Sequence, residues 1–134
     1  MWAFREGGFF EILEEYCNFC SAYEQATGFR CNLPSVGYAI TRDCEALLSY
    51  SWEGATLSID PASTGGPEWE EFLHHYNEFC SERRGVPLLN QTPFLNRDQV
   101  RKAFGVRWSQ FGALRREADP KNRMLDSYFR ELLS

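Results

Sequence analysis

Two stretches of this chain repeat one pattern. Tyr16-Cys17-Asn18-Phe19-Cys20-Ser21 and Tyr76-Asn77-Glu78-Phe79-Cys80-Ser81 carry Tyr, Phe, Cys and Ser at identical spacing. Each sits in a segment of helical periodicity. From Phe9 to Ala26, the residues Phe9, Ile12, Leu13, Tyr16, Phe19, Cys20 and Tyr23 recur at three- and four-residue steps and so share one face. From Pro67 onward, Trp69, Phe72, Leu73, Tyr76, Phe79 and Cys80 do the same. Pro67 suits the first position of a helix, and Glu68, Glu70 and Glu71 suit the positive end of its dipole. Gly28 and Gly85 terminate the two helices. Two amphipathic helices of this kind each need an apolar layer to cover, which points to an α+β sandwich.

The layer they cover is predicted from the intervening segments. Arg30–Thr41 and Ala46–Asp60 mix polar and apolar residues as antiparallel strands do, with Glu53-Gly54 as a hairpin turn or bulge. Residues 60–67 form a loop by composition, and Val86-Pro87-Leu88-Leu89 follows the second helix as a short apolar strand. The order helix–strand–strand–helix–strand is a ferredoxin-like βαββαβ unit with its first strand missing, both helices lying on one face of the sheet. A unit without that strand is expected to have been cut from a longer chain or to borrow a strand from a partner. Residues 1–95 make up this incomplete unit. Residues 96–134 are a helical segment: Asn96 with Gln99 forms a capping box for a helix through Glu117, Asp119-Pro120 breaks it, and a last helix carries Met124, Leu125, Tyr128, Phe129, Leu132 and Leu133.

At 134 residues the chain supports one packed core, and its 16% aromatic content is enough to fill it. No run of about 18 apolar residues crosses a membrane. The first residues lack the basic, apolar and small-residue zones of a signal peptide. Five cysteines in a chain without an export signal imply free thiols and a cytoplasmic location. Charge is uneven: residues 1–81 hold 3 basic and 13 acidic side chains, residues 82–134 hold 11 and 6. The aromatic residues of the basic helix, Phe104, Trp108 and Phe111, fall at core spacing, so no nucleic-acid partner is expected.

The closing segment is the most specific part of the chain. Trp108, Phe111, Leu114-Arg115-Arg116, Asp119-Pro120, Arg123, Leu125, Tyr128-Phe129 and Leu132 resemble the end of FAD-linked oxidases, relatives of vanillyl-alcohol oxidase and of the aldonolactone and alditol oxidases. The resemblance implies a substrate (cap) domain built from an antiparallel sheet and helices, with residues 96–134 packing on an FAD domain. It implies FAD as the cofactor, bound mainly by a segment this chain lacks, and an FAD-binding domain or subunit on another polypeptide as the partner. The function it implies is one part of an oxidoreductase acting on an alcohol or sugar-like substrate, inactive alone. Side chains of the cap sheet would then face substrate or flavin, and Tyr38, Ser58, Asn90 and Gln91 are the candidates by strand position. The His-Trp-Gly-like segment of sugar oxidases is replaced here by Leu89-Asn90-Gln91-Thr92.

Other constellations have ordinary structural readings. Cys17-Asn18-Phe19-Cys20 lies mid-helix without a second ligand pair, so neither a metal nor a redox site is expected. His74 and His75 are adjacent on a helix and point about 100° apart. An excess of apolar residues on the last two helices predicts a homodimer. The alternative to an oxidase part is a non-catalytic ferredoxin-like interaction module, the remnant of a truncated gene, or a small-ligand sensor.

Overall fold

A computed structural model describes residues 1–133. Its elements are β1 (Trp2–Arg5), α1 (Phe9–Thr27), β2 (Leu33–Val36), β3 (Ala39–Ile40), β4 (Thr56–Ala62), α2 (Pro67–Glu82), β5 (Val86–Pro87), α3 (Arg97–Phe104), α4 (Val106–Ala118) and α5 (Ser127–Leu133). The sheet has the order β2-β4-β1-β5, with β3 also on β4, and every pairing is antiparallel. This α+β arrangement is the expected ferredoxin-like one, in which β2 and β3 together form a broken edge strand.

The expected absence of the first strand is corrected by the structure. Trp2–Arg5 is that strand and occupies the centre of the sheet, between β4 and β5. Four residues are too few for a period-two signal, and the small Ala3 alternates poorly with Trp2 and Phe4. Residues 88–92 hold the strand at its outer end: Leu88 N–H donates to Met1 O at 3.1 Å, and Thr92 Oγ1 lies 2.7 Å from the same carbonyl.

Register assigns the faces. Trp2 pairs with Ile59 and Phe4 with Leu57, so these four side chains share one face. Trp2, Phe4 and Ile59 join Tyr16, Phe72, Tyr76 and Phe79 in one buried cluster, which is therefore the helix face. The repeated motif explains how the helices meet. Tyr16 touches Tyr76 with ring centroids 5.8 Å apart, and Phe19 stacks on Phe79 at 4.9 Å. Equivalent residues meeting each other is the contact an approximate two-fold axis produces. Arg83 adds a tie, stacking on Phe79 and pairing with Glu15 of α1.

Three other expectations change in detail. Ala46–Asp60 is extended only from Thr56, and the strand then continues through Pro61 to Ala62. Before Thr56, side chains capture the backbone: Asp43 Oδ1 accepts from Glu45 N–H, while Ser51 Oγ accepts from Asp43 N–H and Ser49 Oγ from Ser51 N–H. Such local bonds compete with a strand ladder. Pro61 fits the strand because the β2–β4 register slips beside it. The third helix keeps its capping box at Asn96 and Gln99, but Gly105 (φ 54°, ψ −131°) divides it into α3 and α4.

Residues 96–133 share the core of the sheet unit. Val100, Phe104, Trp108 and Leu132 are buried in the same cluster as Trp2. Phe111, Tyr128, Phe129 and Leu133 pack against it, so the apolar residues expected to lack a cover largely find one within the chain. Among the described residues, no helix is long and apolar enough to cross a membrane.

Candidate functional site

The second face of the sheet carries Ala3, Arg5, Thr56 and Ser58 by strand alternation. The turn-rich segment 41–55 folds beside it, and α3 follows β5 at the other side. A cleft of about 350 Å³ opens between them, lined by Arg5, Thr56, Arg84, Lys102 and Arg107 together with the rings of Tyr50 and Trp52. Four cations and one carboxylate, Glu53, therefore share one small space.

Each cation reaches the cleft by a different route. Arg5 closes β1 and pairs with Glu53 at the exposed rim. Arg84 follows α2 in the left-handed region (φ 57°), where its N–H donates to Ser81 O and that of Gly85 to Cys80 O. Gly85 is required beside it, since a Cβ there would meet Phe4 at 2.8 Å and the carbonyl of Cys80 at 3.0 Å. Lys102 projects from α3. Arg107, near the start of α4, donates from Nη1 to Leu47 O (2.6 Å) and Ser49 O (3.1 Å), and lies 4.9 Å from the ring centre of Trp52. Partial burial lowers its pKa, because desolvation disfavours the charged form. Among the described residues, its charge is met by carbonyls and ring faces rather than by a carboxylate.

Thr56 is the unusual member. Its residue is 6% exposed, and among the described residues its Oγ1 has no hydrogen-bond partner. An unmade bond of this kind costs about 1–3 kcal/mol. Most buried polar groups avoid that cost.

The four residues nominated by sequence do not come together. Tyr38 and Ser58 meet through the backbone: Tyr38 N–H donates to Ser58 Oγ (2.9 Å), and Ser58 N–H to Tyr38 O (3.0 Å). Ser58 is buried with its hydroxyl engaged, while the Tyr38 ring is exposed. Asn90 and Gln91 lie in an exposed turn over a separate shallow hollow beside Tyr128 and Phe129. Sequence reasoning missed Arg5, Thr56, Arg84, Lys102 and Arg107. The excess of basic residues after position 81 was the available signal for three of them.

The chain offers FAD no phosphate cradle at its helix-opening glycine pair. Gly65-Gly66 precedes α2, but Glu68 and Glu70 fill the first turn, and Glu68 Oε2 lies 3.3 Å from where a Gly66 Cβ would stand. A diphosphate there would face carboxylates instead of open N–H groups. The two histidines diverge, His74 against Phe94 and His75 against Tyr23. Among the described residues, no three His, Cys, Asp or Glu side chains gather to hold a metal ion. Comparison with protein-family models, curated proteins and solved structures finds no match to this chain.

Proposed function

We propose that this chain is the substrate-side part of an FAD-linked oxidoreductase acting on an alcohol or sugar-like substrate, with the FAD held by a separate polypeptide segment. The observation that carries this is the cleft on the second face of a ferredoxin-like sheet, opposite the two long helices. A face of that kind can be laid over a flavin, and its rim supplies polar groups that orient a hydroxyl. The closing segment from Trp108 to Leu132, with its resemblance to FAD-linked oxidases, supports the same conclusion. The chain's own contribution is binding and orientation, since the glycine pair that opens α2 does not fit the cofactor's diphosphate.

The experiment has two arms. Purified chain titrated with FAD at micromolar concentration is expected to bind none. Tagged chain recovered from its own cells is expected to bring a flavin-absorbing partner, and the pair to reduce a dye acceptor with small alcohols while neither part does so alone. Stoichiometric flavin on the isolated chain, or recovery of a colourless chain with no dye reduction, would overturn the proposal.

A second reading, a non-catalytic interaction module, draws on the outer edge of β2. Leu33 and Val36 are each 44% exposed there, on a strand with one unpaired side. Substitutions at that edge that abolish partner recovery, with no flavin in the recovered complex, would favour it.

A further inference from the structure

We infer that the cleft between β1, β4, segment 41–55 and α3 is a binding site for the oxyanion group, carboxylate or phosphate, of a small molecule. Charge comes first. Arg84 and Lys102 have no ion-pair or hydrogen-bond partner for their side chains among the described residues, and Arg107 has none with a negative charge. Nη1 of Arg107 makes both of its bonds, which leaves the Nε and Nη2 donors to a ligand. Convergent cations without matching carboxylates repel each other, and an anion relieves that repulsion.

The backbone points the same way. Arg84 occupies a left-handed conformation that glycine adopts without penalty, and its side chain lines the cleft. The turn that ends α2, closed by Arg84 N–H to Ser81 O and Gly85 N–H to Cys80 O, sets that conformation and places Arg84 at the cleft. Thr56 adds a buried hydroxyl with no partner among the described residues, on a residue that forms the cleft wall. That hydroxyl is closed off from the cleft in its present rotamer, and a turn about the Cα–Cβ bond would bring it to a seated oxyanion.

Size selects a small molecule. About 350 Å³ lies at the lower end of small-ligand cavities and is far too little for a polymer. The rings of Tyr50 and Trp52 give the non-ionic part of the ligand an apolar wall. If the flavin partnership proposed above holds, the substrate carries an acidic group; that extension alone rests on it, and anion binding does not.

Calorimetric titration of the full chain at low salt, with inorganic phosphate, malonate and glycerol as separate probes, tests the inference. At least one anion is expected to saturate a single site while glycerol gives no heat. Phosphate alone would identify a phosphate-bearing ligand, and malonate alone a carboxylate. Arg84→Gly, which relieves backbone strain, and Thr56→Val, which keeps the shape, are each expected to weaken anion binding about tenfold with the fold intact. No saturable binding of either anion, equal binding of glycerol, or anion binding unchanged in both variants would overturn the site. A chain that binds the anion yet recovers no flavoprotein would leave this inference standing and remove the proposed function.

Discussion

Trp2 Nε1 donates a hydrogen bond of 2.8 Å to Asn77 Oδ1, and both residues are essentially without solvent contact. Asn77 Nδ2 in turn donates to Pro93 O at 2.8 Å. One amide thus joins the central strand, α2 and the segment leading to α3. Asn77 stands in the second copy of the repeated motif, where the first copy has Cys17. Replacing Asn77 with Leu leaves the indole N–H unpaired in the interior and removes the part-buried bond to the Pro93 carbonyl, at a cost of about 2–4 kcal/mol. Trp2→Phe removes the donor as well. In a double-mutant cycle read by urea denaturation, the pair is expected to cost less than the sum of the single changes. Additive costs would mean that the bond contributes nothing specific.

Adjacent residues at the end of α2 are expected to respond in opposite directions. Arg84→Gly removes a left-handed non-glycine residue and should stabilise by about 1 kcal/mol. Gly85→Ala drives a Cβ against Phe4, Trp2 and the Cys80 carbonyl and should cost about 1–3 kcal/mol. Denaturation midpoints of the two variants check this, and a loss of stability in Arg84→Gly would show that the arginine holds the turn.

Much of this architecture was legible because helices longer than three turns write their buried face at a regular period. Phe19 and Phe79 lie in matching motifs, and the structure stacks them. The capping box at Asn96 and Gln99 is local chemistry and was equally readable. Short central elements are a different matter. β1 is four residues long and β5 two, so their pairing depends on partners distant in sequence. The cleft was illegible for the same reason. Arg5, Thr56, Arg84 and Lys102 are brought together only after β1 takes the middle of the sheet. Hydroxyls such as Ser58 attract attention in a strand, yet among the described residues the buried hydroxyl left unpaired is that of Thr56, two residues earlier.

Thiol reactivity should separate the cysteines by burial. Cys17 and Cys44 are exposed. Burial pushes the Cys31 thiol up to about 11, and burial pushes that of Cys80 up as well. With an aromatic disulfide reagent near pH 8, Cys17 and Cys44 are expected to react first and Cys80 only on unfolding. Cys31 favours its neutral form when folded. Its contribution to stability is therefore full below the ordinary thiol value of 9.0 and declines as pH rises towards about 11. Prompt labelling of Cys80 in the native protein would contradict the buried placement.

Self-association, if the C-terminal helices support it, should depend on Met124 rather than Phe129. Phe129 packs against Phe111 and Tyr128, whereas Met124 is 89% exposed. Phe129→Asp is expected to lower stability by about 1–3 kcal/mol. Met124→Asp should leave the denaturation midpoint unchanged while reducing any dimer seen by sedimentation. A dimer that survives Met124→Asp would place the contact elsewhere.

The Asp119-Pro120 turn should give the C-terminal helix an acid-sensitive anchor. Asp119 accepts N–H bonds from Met124 at 2.8 Å and from Arg123 at 3.0 Å, closing the turn between α4 and α5. Those two backbone donors, with the charge of Arg115 adding to them, hold its carboxyl below the ordinary Asp value of 3.8. A depressed folded pKa means that the anchor is fully present above the ordinary value and is lost as pH falls through the lower, folded one. Asp119→Asn keeps an acceptor without a charge and should remove most of that pH dependence. Asp119→Ala removes the acceptor itself, so its turn should open at every pH. The protection factors of the Arg123 and Met124 amides, exchange rates divided into the intrinsic rate at each pH and followed by NMR from neutral to acid pH, are expected to fall in acid for the native chain, to stay flat for Asp119→Asn, and to be low throughout for Asp119→Ala. Protection in Asp119→Ala equal to that of the native chain would show that Pro120 and the packing of Tyr128 hold the turn without the carboxylate.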